Sequence, residues 1–345
     1  MLDKIKNKGT RRNVLFILVD CLRADKCWGN NRTAKTPTID LLCQKGTAFT
    51  QAIATTTTTS PSVSSILTGL YPFAHGIRSL SGYKIRSRYR TLAEIFKENG
   101  YNTYADITGP LIPEIGLNRG FDEYKVRDSK DNMYSPWYDT LLNKFRNKEF
   151  KEPWFIFIHF FDLHVPRALS PKYNNRTFGK NIYERALSSL DARLGDLLKY
   201  VDDDTIIVFH ADHGEKFPET MFGELIFNLG LKQYYWRLLK KLKLVKKQDK
   251  DRLYFIGHGF HVYDYLVRVP LIFVGKKIFP ENRWIPNQVR QIDIFPTIID
   301  TLNLKYTSDY KIHGRSLLPL IRNEKMQENP AYCEACGAVL PDKSM

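Results

Sequence analysis

The stretch NVLFILVD, Asn13 to Asp20, decides the fold. It is an unbroken apolar run of strand length that ends on a carboxylate, the pattern of a strand covered on both faces of a parallel sheet. WFIFIHFF (Trp154–Phe161) and TIIVFH (Thr205–His210) read the same way, and YNTYADI (Tyr101–Ile107) adds a shorter strand. Helical segments lie between them. TPTIDLLCQKG carries Thr36 as N-cap, Pro37 at the first helical position and Gly46 past the end. RTLAEIFKENG stops on a glycine, and IYERALSSLDARLGDLLKYV spaces Leu187, Leu190, Leu194 and Leu198 along one helical face. This alternation predicts an α/β fold: a doubly wound, mostly parallel sheet with helices on both faces. No repeat or low-complexity linker divides the 345 residues, so one domain is expected.

In such sheets, ligands bind beyond the carboxyl ends of the strands. Four of those ends carry chemistry. Asp20 and Cys21 follow FILV, the run TTTTTSPSVSSILTG (Thr55–Gly69) follows FTQAIA, Asp162 and His164 follow IHFF, and Asp212 and His213 follow IIVFHA. Asp20, Asp212 and His213 make an oxygen-rich, one-nitrogen set suited to manganese or zinc. Taken alone, the Asp-His pair reads equally well as an N-cap beside a surface histidine. The threonine run likewise has two readings. It is either a strand feeding a helix begun by Ser60 and Pro61, or it holds one hydroxyl at the positive end of that helix, ready to attack an anion.

Eight segments in order resemble the sulfatase and alkaline-phosphatase superfamily: NVLFILVDCLRAD, TSPSVSSILTGLYPFAHG, LNRGFDEY, HFFDLHVP, FHADHGE, GHGFHVYDYLVRVPLIF, DIFPTIID and HGRSLLPLI. The resemblance implies a metal-assisted covalent mechanism, with Asp20, Asp212 and His213 as metal ligands. It places the nucleophile, itself a ligand, two residues before Pro61 at Thr59; Thr58 and Ser60 stand one register step away. His164 and His258 fall where similar enzymes contact the transferred group or the leaving group, His261 is an alternative to His258, and Ser60 is expected to touch substrate. One divalent ion is expected, manganese or zinc ahead of calcium or magnesium, because Asp162 lacks the spacing of a ligand to a second.

The departures from the family pattern bear on chemistry. Sulfatases of the superfamily carry Cys or Ser in a C/S-x-P-x-R pattern and oxidise it to an aldehyde. Here the residues are Thr59-Ser60-Pro61-Ser62-Val63, and a secondary alcohol would oxidise to a ketone. DITGPLIPEIG (Asp106–Gly116) replaces the segment that supplies sulfate-holding Lys and His. The expected reaction is therefore cleavage of a phosphoester through phospho-Thr59. Sulfuric ester hydrolysis is one alternative, and a catalytically silent membrane-binding protein is another. Cys21 is expected to be a small buried spacer, with coordination of a soft metal by its thiol as the alternative, Arg23 and Asp25 an ion pair, and His75 and His210 structural.

The resemblance frames the organisation. Residues 1–11 read as a basic tail, 12–322 as the catalytic domain with a basic insert at about 217–254, and 323–345 as a short C-terminal segment. Net charge is +15, and seven of those charges lie between Lys232 and Arg252. Across Leu231–Lys247 the apolar residues Leu231, Tyr234, Tyr235, Leu238, Leu239, Leu242 and Val245 keep helical spacing opposite a Lys/Arg face. That pattern reads as a helix on an anionic membrane surface or a lid, with a solvated basic face as the plainer reading. The expected substrate is an anionic ester, with a lipid-linked one as a candidate; no nucleic-acid motif is present. The charged N-terminus MLDKIKNKGTRR, the five cysteines and the lack of an apolar run near the roughly 18 residues of a membrane span point to the cytoplasm, peripheral at the cytosolic membrane face. Cys333 and Cys336 form one CxxC with no second pair and read as incidental thiols.

Overall fold

The computed structural model describes residues 11–30, 32–218 and 257–336, with Gly223, Leu225, Ile226, Leu229, Leu231, Lys241 and Leu242 between them. Apart from Leu231, Lys241 and Leu242, the amphipathic helix expected over Leu231–Lys247, and the membrane face drawn from it, lie outside the described residues. Among the described residues no helix is long and apolar enough to cross a membrane.

Eight strands form one sheet: β1 (Val14–Val19), β2 (Gly46–Ile53), β3 (Asn102–Ile107), β4 (Glu123–Val126), β5 (Trp154–Phe160), β6 (Ile206–Ala211), β7 (Arg268–Val274) and β8 (Arg283–Arg290). Their order is β4-β3-β5-β1-β6-β7-β2-β8. All run parallel except β7, which is antiparallel to both β6 and β2. Every residue of β1, β5 and β6 is buried, as their unbroken apolar runs require. β4 is a short edge strand exposed at three of its four residues, and its charged EYKV face protects that edge from further pairing.

The helices are α1 (Ala24–Cys27), α2 (Pro37–Lys45), α3 (Thr59–Thr68), α4 (Pro72–His75), α5 (Leu92–Glu98), α6 (Pro136–Arg146) and α7 (Ile182–Leu198), followed by Ile294–Leu302 and short turns. Thr91 and Glu94 close a capping box on α5, and the Asn181 side chain caps α7. Buried Asp191 of α7 accepts from the backbone N–H groups of Thr38 and Ile39, at 2.9 and 2.8 Å, which ties α7 to the start of α2. All ten residues of α3 are buried. Such a helix is covered on every side, and its end is correspondingly tight. Gly69 sits at φ +67, where a Cβ would approach the Phe295 ring to 2.9 Å, so only glycine ends α3 there without strain.

The last described residues run back along the threonine stretch. The Glu334 N–H donates to the Thr55 carbonyl at 3.0 Å, and the Cys333 thiol donates to the Ala54 carbonyl at 3.0 Å. The Arg78 guanidinium grips the Glu334 carboxylate, with its Nη2 at 2.8 Å.

Candidate active site

β1, β5 and β6 lie side by side at the centre of the sheet, and their carboxyl ends deliver Asp20, His159 and the Asp212-His213 pair to one place. β2 ends in the threonine run, and α3 starts on Thr59. The Thr59 Oγ1 stands 3.3 Å from Asp20 Oδ2 and 3.2 Å from His213 Nε2. All four side chains are buried: Asp20, Thr59, Asp212 and His213 are each at most 2% exposed.

The backbone aims these groups. Cys21 takes a left-handed φ of +61, so the chain turns sharply after Asp20. The N–H groups of Cys21 and His213 both donate to Asp212 Oδ1, at 3.1 and 2.8 Å. That fixes one carboxylate oxygen of Asp212 and leaves Oδ2, 3.2 Å from His213 Nε2, facing the cluster. Gln291, just past β8, locks the surroundings. Its amide nitrogen donates to the carbonyls of Ala211 and Asp212, while its oxygen accepts from the Ser62 hydroxyl at 2.9 Å and the Thr55 N–H at 3.2 Å.

The cluster has too many acceptors. The His213 Nδ1 donates to the Gly214 carbonyl at 2.9 Å, so in the neutral ring Nε2 is a bare lone pair. It faces Asp212 Oδ2, Asp20 Oδ2 and the single proton of Thr59. Asp20 Oδ1 and Asp212 Oδ2 are buried without a hydrogen-bond partner. Ligand atoms of Asp20, Asp212 and His213 all lie within 4.8 Å of one another. A divalent cation satisfies these lone pairs together, and two oxygens with one imidazole, plus the Thr59 oxygen, are a donor set that fits one. Electrostatics agree. Burial and the neighbouring Asp20 charge push the Asp212 carboxyl well up. Burial also opposes charge on Asp20, but the hydrogen bond from His159 and the fields of His164 and His213 outweigh it and hold this carboxyl down. Burial and the nearby His258 hold His213 down to about 3.

His159, which the sequence reading left without a role, faces Asp20 directly. Its Nε2 is 3.2 Å from Asp20 Oδ2, and its Nδ1 is 3.3 Å from the Thr108 carbonyl. A histidine inside the otherwise apolar WFIFIHFF was the available signal. Glu215 was also passed over; it is buried, and its Oε1 lies 3.3 Å from His258 Nδ1.

The remaining expected site residues divide. His164 and His258 flank the cluster, their rings 5.4 Å apart, and His258 lies 4.3 Å from the His213 ring. Ser60 is not brought in: its hydroxyl is committed to the carbonyls of Leu80 and Pro110, at 3.0 and 3.2 Å. His261 stands against Tyr263 and lines a separate cavity of about 380 Å³ with Phe260, Val262 and residues 333–335. Thr58 is the N-cap of α3, and its hydroxyl is buried without a partner. Asp162 accepts from the Met133 N–H at 2.9 Å, and burial pushes its carboxyl up to about 6. Arg23 and Asp25 pair at 2.8 Å. His75 is held by Ser65 and Ile77, and His210 by Pro270 and Gln291, both deep in the core.

A carboxylate–imidazole trio whose atoms could hold a metal ion, beside a buried hydroxyl at the strand ends of a doubly wound sheet, is the arrangement of an alkaline-phosphatase-like protein. The chain belongs to the sulfatase family, whose family model matches residues 12–304. Among curated proteins it is similar to an ulvan-active sulfatase of Formosa agariphila, 23% identical across 95% of this chain and 61% of that protein. It is also similar to human arylsulfatase D, 22% identical across 90% of this chain and 68% of that protein. The chain thus spans under two thirds of the first of these relatives. Among solved structures, the phosphonate monoester hydrolase of Agrobacterium radiobacter superposes with a TM-score of 0.69 at 20% identity, covering 92% of this chain and 78% of that one. This likeness shows the fold. Sulfatase-family enzymes are metal-dependent, in keeping with the orphaned carboxylate oxygens.

Proposed function

We propose that the chain is a metal-assisted hydrolase or group transferase of anionic esters with Thr59 as nucleophile, and that its ester is a phosphoester. The observation that carries this reading is the Thr59 hydroxyl, buried at the first residue of α3 between Asp20 and His213. A divalent ion held by Asp20, Asp212, His213 and Thr59 would supply an ionised hydroxyl and draw charge from the ester oxygens.

The chain's own residues then do the following. The Thr59 oxygen attacks phosphorus while the bond from phosphorus to the leaving oxygen breaks. The leaving oxygen takes a proton from His258 or His164, which stand beside the cluster. Water or an acceptor alcohol next attacks phospho-Thr59, the same histidine takes its proton, and the Thr59 oxygen departs. His159 and the backbone N–H groups of Cys21 and His213 keep the two carboxylates aimed inward.

Sulfuric ester hydrolysis is the second reading, favoured by the names of the curated relatives. Against it stand Thr59, which cannot yield an aldehyde, Val63 in place of arginine, and Asp106–Gly116, which contains no Lys, Arg or His. That segment offers carbonyls to its surroundings: Thr108 to His159 and Pro110 to Ser60. The deciding experiment runs aryl phosphate, phosphate diester, phosphonate monoester and aryl sulfate side by side on the metal-loaded chain. Acid quench and mass spectrometry of the Thr59 peptide accompany it. Turnover of a phosphorus ester with a phosphoryl group on Thr59 supports the proposal, and turnover of the sulfate ester alone replaces it with the second reading.

A further inference from the structure

Cys21, His213 and His258 form a second group of ligand atoms that all lie within 4.8 Å of one another. We propose that this group is a thiolate–imidazole seat for a soft divalent ion of the zinc class, and that filling it excludes an ion from the Asp20–Asp212–His213 seat. The exclusion rests on the reading of Asp20, Asp212 and His213 as ligands, whereas the thiolate seat itself does not.

Three observations carry the inference. The Cys21 Sγ lies 3.6 Å from His258 Nδ1. Sulfur and nitrogen bound to one tetrahedral zinc at about 2.3 and 2.0 Å stand about 3.5 Å apart, so this edge of the coordination polyhedron is already formed. The backbone at Cys21 is fixed by its left-handed turn and its N–H bond to Asp212 Oδ1, and the side chain is fully buried. Finally, His213 has one nitrogen to give. Its Nδ1 is engaged with the Gly214 carbonyl, so Nε2 is the nitrogen that serves either seat.

The two seats differ in chemistry. One offers two carboxylates and a hydroxyl, which suit hard cations; the other offers sulfur and two imidazoles, with Glu215 Oε1 3.3 Å from His258 Nδ1 as a further oxygen. Loading the second seat converts the Cys21 thiol to thiolate and releases one proton to solvent. No change of oxidation state is involved. An ion there would also hold His258, removing both a ligand and a proton donor from the ester-cleaving arrangement.

Cobalt(II) added to the metal-free full-length chain tests the seat, because cobalt bound to thiolate gives a near-ultraviolet charge-transfer band that oxygen and nitrogen ligands do not. The band is expected in the wild type and in Asp212→Asn, and its loss is expected in Cys21→Ser and in His258→Ala. It should survive Cys333→Ser/Cys336→Ser. A wild type without the band overturns the proposal, as does a band that persists without Cys21 or that disappears with the two C-terminal thiols. Exclusion is read from the paramagnetic resonance of free manganese(II). Zinc should release one manganese per wild-type chain, and Cys21→Ser should need at least tenfold more zinc for the same release. Equal zinc requirements in the two would refute exclusion even where the cobalt band is present, so this failure is distinguishable from failure of the functional reading.

Discussion

Asp212→Asn gives a direct measure of whether the buried carboxylates exist for a cation. In the wild type Asp212 Oδ1 accepts two backbone N–H bonds, while Oδ2 faces Asp20, Thr59 and His213 with no donor of its own. An asparagine keeps the Oδ1 contacts and places an NH₂ group where the orphaned oxygen was, so the metal-free fold should hold or gain stability. The wild type should respond strongly to metal. At a concentration 100 times Kd, binding to the folded state alone adds about 2.7 kcal/mol. Unfolding entropy of about 2.1 cal/mol/K per residue gives roughly 0.7 kcal/mol/K for this chain, so Tm should rise by about 4 °C. Differential scanning calorimetry after chelation and dialysis, with manganese, magnesium or calcium added back singly, measures this; zinc is left out because the thiolate–imidazole seat would bind it in both proteins. The expected pattern is a rise of that size for at least one ion in the wild type and less than about 1 °C for Asp212→Asn. Equal shifts in the two proteins, or none with any ion, would refute the cation reading of the cluster.

Four further outcomes follow from named contacts. Thr59→Ala should lower kcat by about 10⁴-fold or more, while Thr59→Ser should retain activity within roughly tenfold, measured by steady-state ester hydrolysis. His258→Ala should lower kcat by roughly 10²- to 10⁴-fold for alkyl esters, and by much less for aryl esters whose leaving group needs no proton. Gln291→Ala leaves the Thr55 N–H and the Ala211 carbonyl short of a partner, while the Ser62 hydroxyl and the Asp212 carbonyl keep their mutual bond, and should cost about 2–4 kcal/mol, read as a Tm fall of about 3–6 °C. Burial holds His75 down to about 3, so between pH 6.5 and 4 the unfolded chain takes up a proton there that the folded chain refuses. Stability then falls as pH falls through that window. Relative to the wild type, His75→Asn should therefore gain about 1.4 kcal/mol for each pH unit of acidification in urea titrations, and a constant difference would contradict the assignment.

How much the sequence revealed differs from strand to strand. β1, β5 and β6 were legible because strands covered on both faces must be apolar throughout, and α5 because its capping box is written in side chains; α2 begins after Thr36 and Pro37 as expected, but Asp191 rather than Thr36 takes its first N–H groups. The reversed direction of β7 was not, since RVPLIFV reads the same whichever way the strand runs. Nor was β8, whose Pro286 and polar residues hide a strand at the sheet edge. Within the candidate site, Asp20, Asp212, His213 and the threonine run were legible because they sit beyond strand ends, whereas Thr59 was singled out of that run only by the family resemblance. His159 and Gln291 act through three-dimensional neighbours alone, Asp20 for one and Ser62 for the other, and no local spacing betrays such contacts. Ser60 and His261 illustrate the converse. Proximity in sequence, to Thr59 for Ser60 and to His258 for His261, made them candidates, while hydrogen bonds to Leu80 and Pro110 and packing on Tyr263 draw their side chains elsewhere.

The anchoring of residues 333 and 334 onto Ala54 and Thr55 joins positions 279 residues apart in the chain. During synthesis the threonine loop leaves the ribosome early, but the backbone partner that steadies it emerges only after the whole sheet has been made. A nascent chain stalled before that point would hold every proposed catalytic residue and still lack these contacts to Ala54 and Thr55. The start of the threonine stretch should therefore gain this support late in translation, after most of the fold has already formed.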